Sequence, residues 1–364
     1  MKNLCKLCTF SFLLGAGIAA SATTPDKTFV PASDPQIVYM GRTSHTYADS
    51  VRYTYPGVSI LANFEGTSLR MKTRSNSGYY MVEIDNHPAI KIGVHPDESI
   101  ITLAEGLQDT VHSARIMYVI EGYELKPAFM GFYLDKGRKL AEAPKLPQRR
   151  IEFIGNSITC GYGVEADNPN APFAYETENH YYTYAALTAR ALNAQHLVVS
   201  RSGIGVYRNY NGPKTGSKDD CMPKMYEQTL FMDPSEQWDH NRYTPDVLCI
   251  NLGTNDTSLD NYDQALLTDG YRRFVKHLRA TYPQTKIVMT SGSMMSGKAL
   301  EDAKKAMDTV ADEMHRQGDN NIYRFDMSPQ TGELGYGANY HPSLRQQQKM
   351  ANELTAFLKQ LMGW

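Results

Sequence analysis

From Arg149 to the C-terminus, short apolar runs and amphipathic segments take strict turns, and few folds accommodate that alternation. RRIEFIG is followed by HYYTYAALTARALNA and then QHLVVS. DVLCINLG precedes YDQALLTDGYRRFVKHLRATY, and KIVMTSG precedes KALEDAKKAMDTVADEMHRQ. NIYRFDM precedes the closing SLRQQQKMANELTAFLKQLM. Strands separated by helices of this length predict a parallel sheet with helices on both faces, a three-layer α/β/α domain. In such sheets ligands bind beyond the carboxyl ends of the strands. The residues to inspect therefore lie just after each strand.

Upstream the texture differs. SVRYTY, VSILANF, SLRMKT, YYMVEID, IITLA, ARIMYVI and FMGFYLD are short and β-branched or aromatic, and are broken by Pro, Gly, Asn or Asp. No amphipathic helix interrupts them, so residues 28–141 read as an antiparallel β-sandwich or jelly roll. Residues 142–150, EAPKLPQRR, carry two prolines and end in charge, and read as the linker to an α/β domain over 151–364. Two domains suit a chain of 364 residues. Because ligand sites favour domain boundaries, the β domain is expected to wall one side of the cleft.

The first 22 residues read as a signal peptide. Lys2 and Lys6 precede the apolar LCTFSFLLGAGIAA, and Ala20-Ser21-Ala22 is a small-residue cleavage site. The apolar run is short for a bilayer span, so no membrane insertion is expected after cleavage. Cys5 and Cys8 precede that run, which argues against lipidation at its end. The expectation is a secreted or periplasmic protein. Removing Lys2 and Lys6 leaves 35 basic against 39 acidic residues, a balance that gives no footprint for nucleic acid. Three cysteines remain after cleavage, so at least one thiol is free. Cys249 reads as a small core residue, and Cys160 and Cys221 are the two that could pair. No zinc-like spacing and no HExxH occurs, and no metal or other cofactor is expected.

Four strand ends carry candidate chemistry. GNSITCGYG places Ser157 where a helix begins, with unpaired backbone N–H groups beside it. SRSGIGVYRNY brings Gly203 and Gly205, and NLGTND brings the Asn255 side-chain amide. After the last strand, GELGYGANYHPS leads to His341. Each stretch alone has an ordinary reading: a helix start, a plain turn, or a capping box formed by Ser343 and Gln346. Together they hold a nucleophile, a base and oxyanion donors on one rim, the inventory of acyl transfer. The other nine histidines lie in helices, strands or loops with nothing to tie them to a nucleophile.

GNSITCGYG, the glycines of SGIGVYRN, GTND and YHP resemble the four blocks of the SGNH (GDSL-like) hydrolases. The whole mature chain, with a β domain ahead of the hydrolase domain, more closely resembles carbohydrate esterase family 2. The resemblance implies an extracytoplasmic esterase that removes O-acetyl groups from plant cell-wall polysaccharides such as xylan or glucomannan. It implies Ser157 as nucleophile and His341 as base. The oxyanion hole would be the Ser157 N–H, a glycine N–H (Gly205, with Gly203 the substitute) and the Asn255 side chain. Tyr340 falls where the family tends to place an aromatic residue near the sugar, and Tyr207 also flanks the proposed rim.

Many SGNH enzymes carry an Asp three residues before the His, where this chain has Ala338. A Ser-His dyad is therefore expected. The imidazole still needs its Nδ1–H held. A backbone carbonyl or the Asn339 side chain could hold it, with Asp326 the outside candidate. Two rival functions use the same residues. One is a lipid or thioester hydrolase. The other is a carbohydrate-binding protein that has lost turnover, which the missing Asp suggests.

Overall fold

The computed structural model describes residues 27–364. The expected signal peptide lies outside the described residues. Among the described residues, eleven antiparallel strands form the N-terminal domain. One sheet orders β3 (Ser44–Tyr47), β4 (Ser50–Arg52), β11 (Ala128–Asp135), β6 (Leu69–Thr73) and β9 (Ile100–Ala104), with β1 (Lys27–Pro31) also on β11. The other orders β2 (Val38–Met40), β5 (Ser59–Gly66), β10 (Thr110–Tyr118), β7 (Gly78–Ile84) and β8 (Ile90–Val94). Burial alternates along β5 and β6, as period-2 side chains require, and the inward faces meet in one core. Met71, Phe132 and Leu134 of the first sheet pack there with Ile60, Val82 and Ile116 of the second. This is the expected sandwich.

The second domain holds a parallel sheet ordered β13 (Ala194–Ser200), β12 (Arg149–Gly155), β16 (Val247–Asn251), β17 (Lys286–Ser291) and β18 (Ile322–Asp326). A hairpin of β14 (Gln228–Leu230) and β15 (Asp233–Gln237) lies outside it. The helices are α1 (Ser157–Cys160), α2 (Tyr184–Ala191), α3 (Met222–Met225), α4 (Gln264–Thr281), α5 (Gly297–Arg316) and α6 (Leu344–Met362). Starting with β12, the chain first builds outward to the edge strand β13, then reverses through β16 to β18. The reversal point lies between β12 and β16, where a doubly wound sheet opens a crevice. Both helices on the β17 side follow the predicted pattern. Along α4, Leu267, Tyr271, Phe274, Val275 and Leu278 are buried at helical spacing, and the Asp263 side chain caps the N-terminus.

At the front of α6, Ser343 Oγ accepts the Gln346 N–H at 3.2 Å. One turn on, Gln347 is fully buried. Its Oε1 accepts the Tyr184 N–H at 2.8 Å, and its Nε2 donates to the Ile158 carbonyl at 2.9 Å. A single amide thus ties α6 and α2 to the four-residue helix that carries Ser157.

The two domains share a polar and aromatic seam. Val119 O accepts the His180 N–H at 2.8 Å, and Thr54 Oγ1 accepts the Phe231 N–H at 2.6 Å. Tyr55 of the N-terminal domain is buried among the core side chains of the α/β domain. Among the described residues, no helix is long and apolar enough to cross a membrane. Cys160, Cys221 and Cys249 are all buried free thiols.

Candidate active site

Strand β12 ends at Gly155, and the turn into α1 is tight. A Cβ at Gly155 would stand 2.0 Å from Thr159 Oγ1, so only glycine fits. Asn156 then caps α1: its side chain accepts the Ile158 N–H at 3.1 Å. Ser157 is the first helical residue. Its own N–H therefore has no partner within the helix.

His341 arrives from the far end of the chain, 184 residues on. Its Nε2 lies 2.8 Å from Ser157 Oγ. Its Nδ1 lies 3.1 Å from the Ala338 carbonyl, which can accept only if Nδ1 carries the hydrogen. That fixes the tautomer in which Nε2 is bare and faces the serine. Tyr162 stacks on the imidazole at 4.1 Å between ring centres and 22° between planes. Asn339 and Tyr340, directly before His341, both take the left-handed conformation, at φ 47° and 59°. Asn tolerates this; for Tyr it costs about 1–2 kcal/mol. The turn is held by Gly163 O, which accepts the Ala338 N–H at 3.0 Å, and by the Gly337 N–H donating to His341 O at 2.8 Å.

Neither side chain considered as a third member touches the imidazole. Asn339 Nδ2 donates to the Tyr162 hydroxyl at 2.6 Å. Asp326 is held by Ser291, Arg324 and Lys304, and does not line the cleft. Asn339→Ala and Asp326→Ala are each expected to leave kcat on p-nitrophenyl acetate within a few-fold of the parent. A drop of about 10⁴-fold at Asp326, the scale of disabling a triad carboxylate, would overturn the main-chain orienter.

Burial pushes the His341 imidazole down to about 4, against the Ala338 carbonyl, which favours the charged ring. A ring that takes the serine proton must be neutral, so activity is expected above this value and is expected to be lost below it. We expect kcat/KM, which reports the free enzyme, to hold from neutral into mildly acid solution and to fall as pH drops through about 4. A pH profile on p-nitrophenyl acetate checks this. An acid limb centred near the ordinary histidine value of about 6.5 would contradict it.

Ser157 and His341 open on a cleft of about 720 Å³, lined also by Gly203, Asn255, Tyr162, Tyr210 and Tyr340. Asn255 Nδ2 donates to Ile204 O at 2.8 Å, which uses one of its two hydrogens and leaves the other. The two candidate glycines separate here. The Gly205 N–H is taken by Asn209 Oδ1 at 3.0 Å, and a Cβ there would stand 2.0 Å from Arg208 O. Gly205 thus serves packing and does not line the cleft. Gly203, at φ 77°, does line it, and a Cβ there would meet only Tyr210, at 3.9 Å.

Two expectations are corrected. Tyr207 is buried in the core, and its hydroxyl accepts the Asp263 N–H at 2.8 Å, at the start of α4. Tyr210, three residues on and 61% exposed, lines the cleft instead. The β domain does not wall the cleft: every residue lining it lies between 157 and 341.

Sequence reasoning also missed Asp256. Its carboxylate accepts N–H groups from Val206, Tyr207, Arg208 and Gly253 at 2.8–3.1 Å, and so shapes the loop that carries Gly203. Its position in GTND, beside Asn255, was the available signal. Tyr162 was likewise visible in CGYG but had no reason to be chosen before its stacking was known.

Among known proteins, the family description "Carbohydrate esterase 2 N-terminal" matches residues 39–144, and "GDSL-like Lipase/Acylhydrolase family" matches residues 153–349. The cellulase/esterase CelE of Acetivibrio thermocellus is 33% identical over 95% of this chain, which spans 41% of that protein's length. An acetylxylan esterase / glucomannan deacetylase of Cellvibrio japonicus is 32% identical over 98% of both chains. Two solved family two carbohydrate esterases superpose closely. One, from Clostridium thermocellum in complex with cellohexaose, has a TM-score of 0.85 at 33% identity, over 90% of this chain and 99% of that one. The other, from Cellvibrio japonicus, has a TM-score of 0.83 at 31% identity, over 93% and 98%. A GDSL-like hydrolase domain behind a family-two N-terminal domain, with this identity across nearly the whole chain, makes the protein a member of carbohydrate esterase family 2.

Proposed function

We propose that the protein is a secreted or periplasmic carbohydrate O-acetylesterase that removes acetyl groups from plant cell-wall polysaccharides such as xylan or glucomannan. The observation that carries this reading is the 2.8 Å contact of Ser157 Oγ with a bare His341 Nε2 inside an open, tyrosine-lined cleft. Ser157 Oγ attacks the acetyl carbonyl carbon as His341 takes its proton. The carbonyl oxygen becomes an oxyanion, met by the Ser157 N–H, the Gly203 N–H and the remaining Asn255 amide hydrogen. As the tetrahedral intermediate collapses, His341 returns the proton to the leaving sugar oxygen, and acetyl-Ser157 remains. Water, activated by the same imidazole, then releases acetate. Gly203 is assigned in place of Gly205 because only its N–H is not already held by a neighbouring side chain.

The sugar lies against Tyr340 and Tyr210, which are 51% and 61% exposed, since flat rings stack on sugar faces. The names of the two Cellvibrio and Acetivibrio relatives support the substrate class. The test is acetate release from a panel of acetylated xylans and glucomannans, with Ser157→Ala as the blank. Ser157-dependent release from a glycan is the expected result. Hydrolysis confined to long-chain p-nitrophenyl esters would favour a lipid or thioester hydrolase. Glycan binding without acetate release would favour a protein that has lost turnover.

A further inference from the structure

Beneath the cleft, at the seam between the domains, sits a group of side chains that the reaction as derived does not use. Glu121 follows β10 in the N-terminal domain, and both it and Glu178 of the α/β domain are buried, at 4% and 0% exposure. Glu121 points across the seam. Its Oε1 accepts the Ser202 N–H at 2.7 Å and its Oε2 accepts the Ser202 hydroxyl at 2.5 Å. Ser202 lines the cleft and is the residue before Gly203. Glu178 Oε2 accepts the Glu121 N–H at 3.1 Å. The two carboxyl groups lie within 4.8 Å of each other. Glu178 Oε1 is buried and has no hydrogen-bond partner.

Two carboxylates cannot hydrogen-bond without a proton between them, because ionised carboxyl oxygens only accept. Two full negative charges at this distance in a buried site would also repel strongly. A proton on Glu178 Oε1 resolves both problems: it supplies the missing donor and leaves one charge on the pair. Glu121 is then the carboxylate, which its two donors from Ser202 favour.

We propose that Glu121 is a positioning residue for the oxyanion loop, forming with Glu178 a buried pair that shares one proton and clamps Ser202 so that the Gly203 N–H faces the tetrahedral oxygen. The proposal rests on the esterase reading above. It gives the N-terminal domain a role in turnover although it contributes no surface to the cleft.

The groups facing the pair fit a single shared charge. Arg201 and Lys91 favour the ionised form of Glu121 and Glu178 respectively, and Lys91 Nζ donates to Glu178 O at 3.0 Å. Cys160, at the end of the nucleophile helix, contributes a thiol within 4.8 Å of both carboxyls, and burial keeps that thiol neutral. Tyr118, Tyr123 and Tyr175 complete the surroundings, and burial raises each above the ordinary phenol value. Burial raises Glu178 well above the usual carboxyl range, and Glu121 is raised too. The shared proton is therefore held above the ordinary carboxyl range and is lost as pH rises through the pair's upper step. The clamp should fail on the alkaline side.

The experiment uses the full mature chain and p-nitrophenyl acetate, with Ser157→Ala as the blank. Glu121→Ala is expected to lower kcat about 100-fold, the scale of one lost oxyanion donor, with KM changed little. Glu178→Gln carries a permanent N–H in place of the shared proton. Its ratio of kcat in alkaline to neutral buffer should exceed that of the parent. Ser202→Ala, which keeps the main-chain contact and loses the hydroxyl one, should lower kcat less than Glu121→Ala and guards against a Glu121 variant that fails to fold. The clamp is refuted if folded Glu121→Ala turns over within threefold of the parent while Ser157→Ala is inactive, a result that leaves the esterase reading intact. An alkaline limb identical in the parent and Glu178→Gln refutes the shared proton. So does loss of activity on chelation that an added divalent metal restores, since a cation would then occupy the cluster. No Ser157-dependent turnover in the parent refutes both readings.

Discussion

Ser157→Ala and His341→Ala are each expected to lower kcat by about 10⁶-fold, and the double variant to lose no more than either alone. The reason is that one 2.8 Å contact joins them. Without the imidazole the hydroxyl keeps its proton and attacks poorly; without the hydroxyl the imidazole has no proton to take. Each variant therefore removes the same step. Steady-state kinetics on acetylated oligosaccharide, with a covalent organophosphate as a second readout, checks this. His341→Ala should also lose labelling at Ser157. Additive losses in the double variant would mean that the two groups act independently. Residual turnover well above water is still expected, because the Gly203 and Asn255 donors remain in place.

Arg42→Ala is expected to destabilise the fold by about 3–5 kcal/mol, read as the shift in a denaturant or thermal unfolding curve. Arg42 comes from the N-terminal domain and ends fully buried in the other. Its guanidinium donates to the carbonyls of Tyr226 and Gln228 and lies 3.4 Å from Glu152 Oε1 on the interior strand β12. It also rests over the rings of Tyr226 and Trp238, at 4.7 and 5.3 Å. Alanine would leave Glu152 buried with only the Tyr226 hydroxyl, at 2.9 Å, and would open a void among aromatic rings. Burial already raises the Glu152 carboxyl above its ordinary value, although Arg42 pulls it down. Removing Arg42 would push it further toward the neutral form. Arg42→Met with Glu152→Gln, which removes both charges and keeps most of the volume, should recover much of the loss. If Arg42→Ala alone proves neutral, the seam does not depend on this pair.

The strand and helix pattern was legible because it is local. Apolar residues recur every second position along β5 and β6, and at helical spacing along α4. Both of these domains follow from that periodicity. The strands that escaped notice, β1, β2, β3, β8, β14 and β15, are three to five residues long, too short to show a clear alternation, and owe their state to the strands they pair with. The Ser157 and His341 motifs were legible for a different reason: strand-end residues of a doubly wound sheet converge by topology. The assignment of the glycine donor and the cleft tyrosines was not. Gly203 and Gly205 differ by one turn of a loop, and so do Tyr207 and Tyr210. Which of each pair faces the cleft depends on Asp256 and Asn209 taking particular N–H groups.

Periodicity, turn residues and the order of four short motifs were enough to set the fold class and to bring a serine and a histidine to one rim, since each is governed by neighbours close in the chain. The tertiary structure alone decided that a main-chain carbonyl orients His341, that Tyr162 covers its face, and that Glu121 reaches from the other domain to hold Ser202. The Tyr162 and Glu121 contacts span 179 and 81 positions, and a residue's nearest neighbours at such separations are chosen by how the whole core packs, which no local stretch encodes; the Ala338 carbonyl is close in the chain, but it reaches the ring only through a turn held from outside by Gly163.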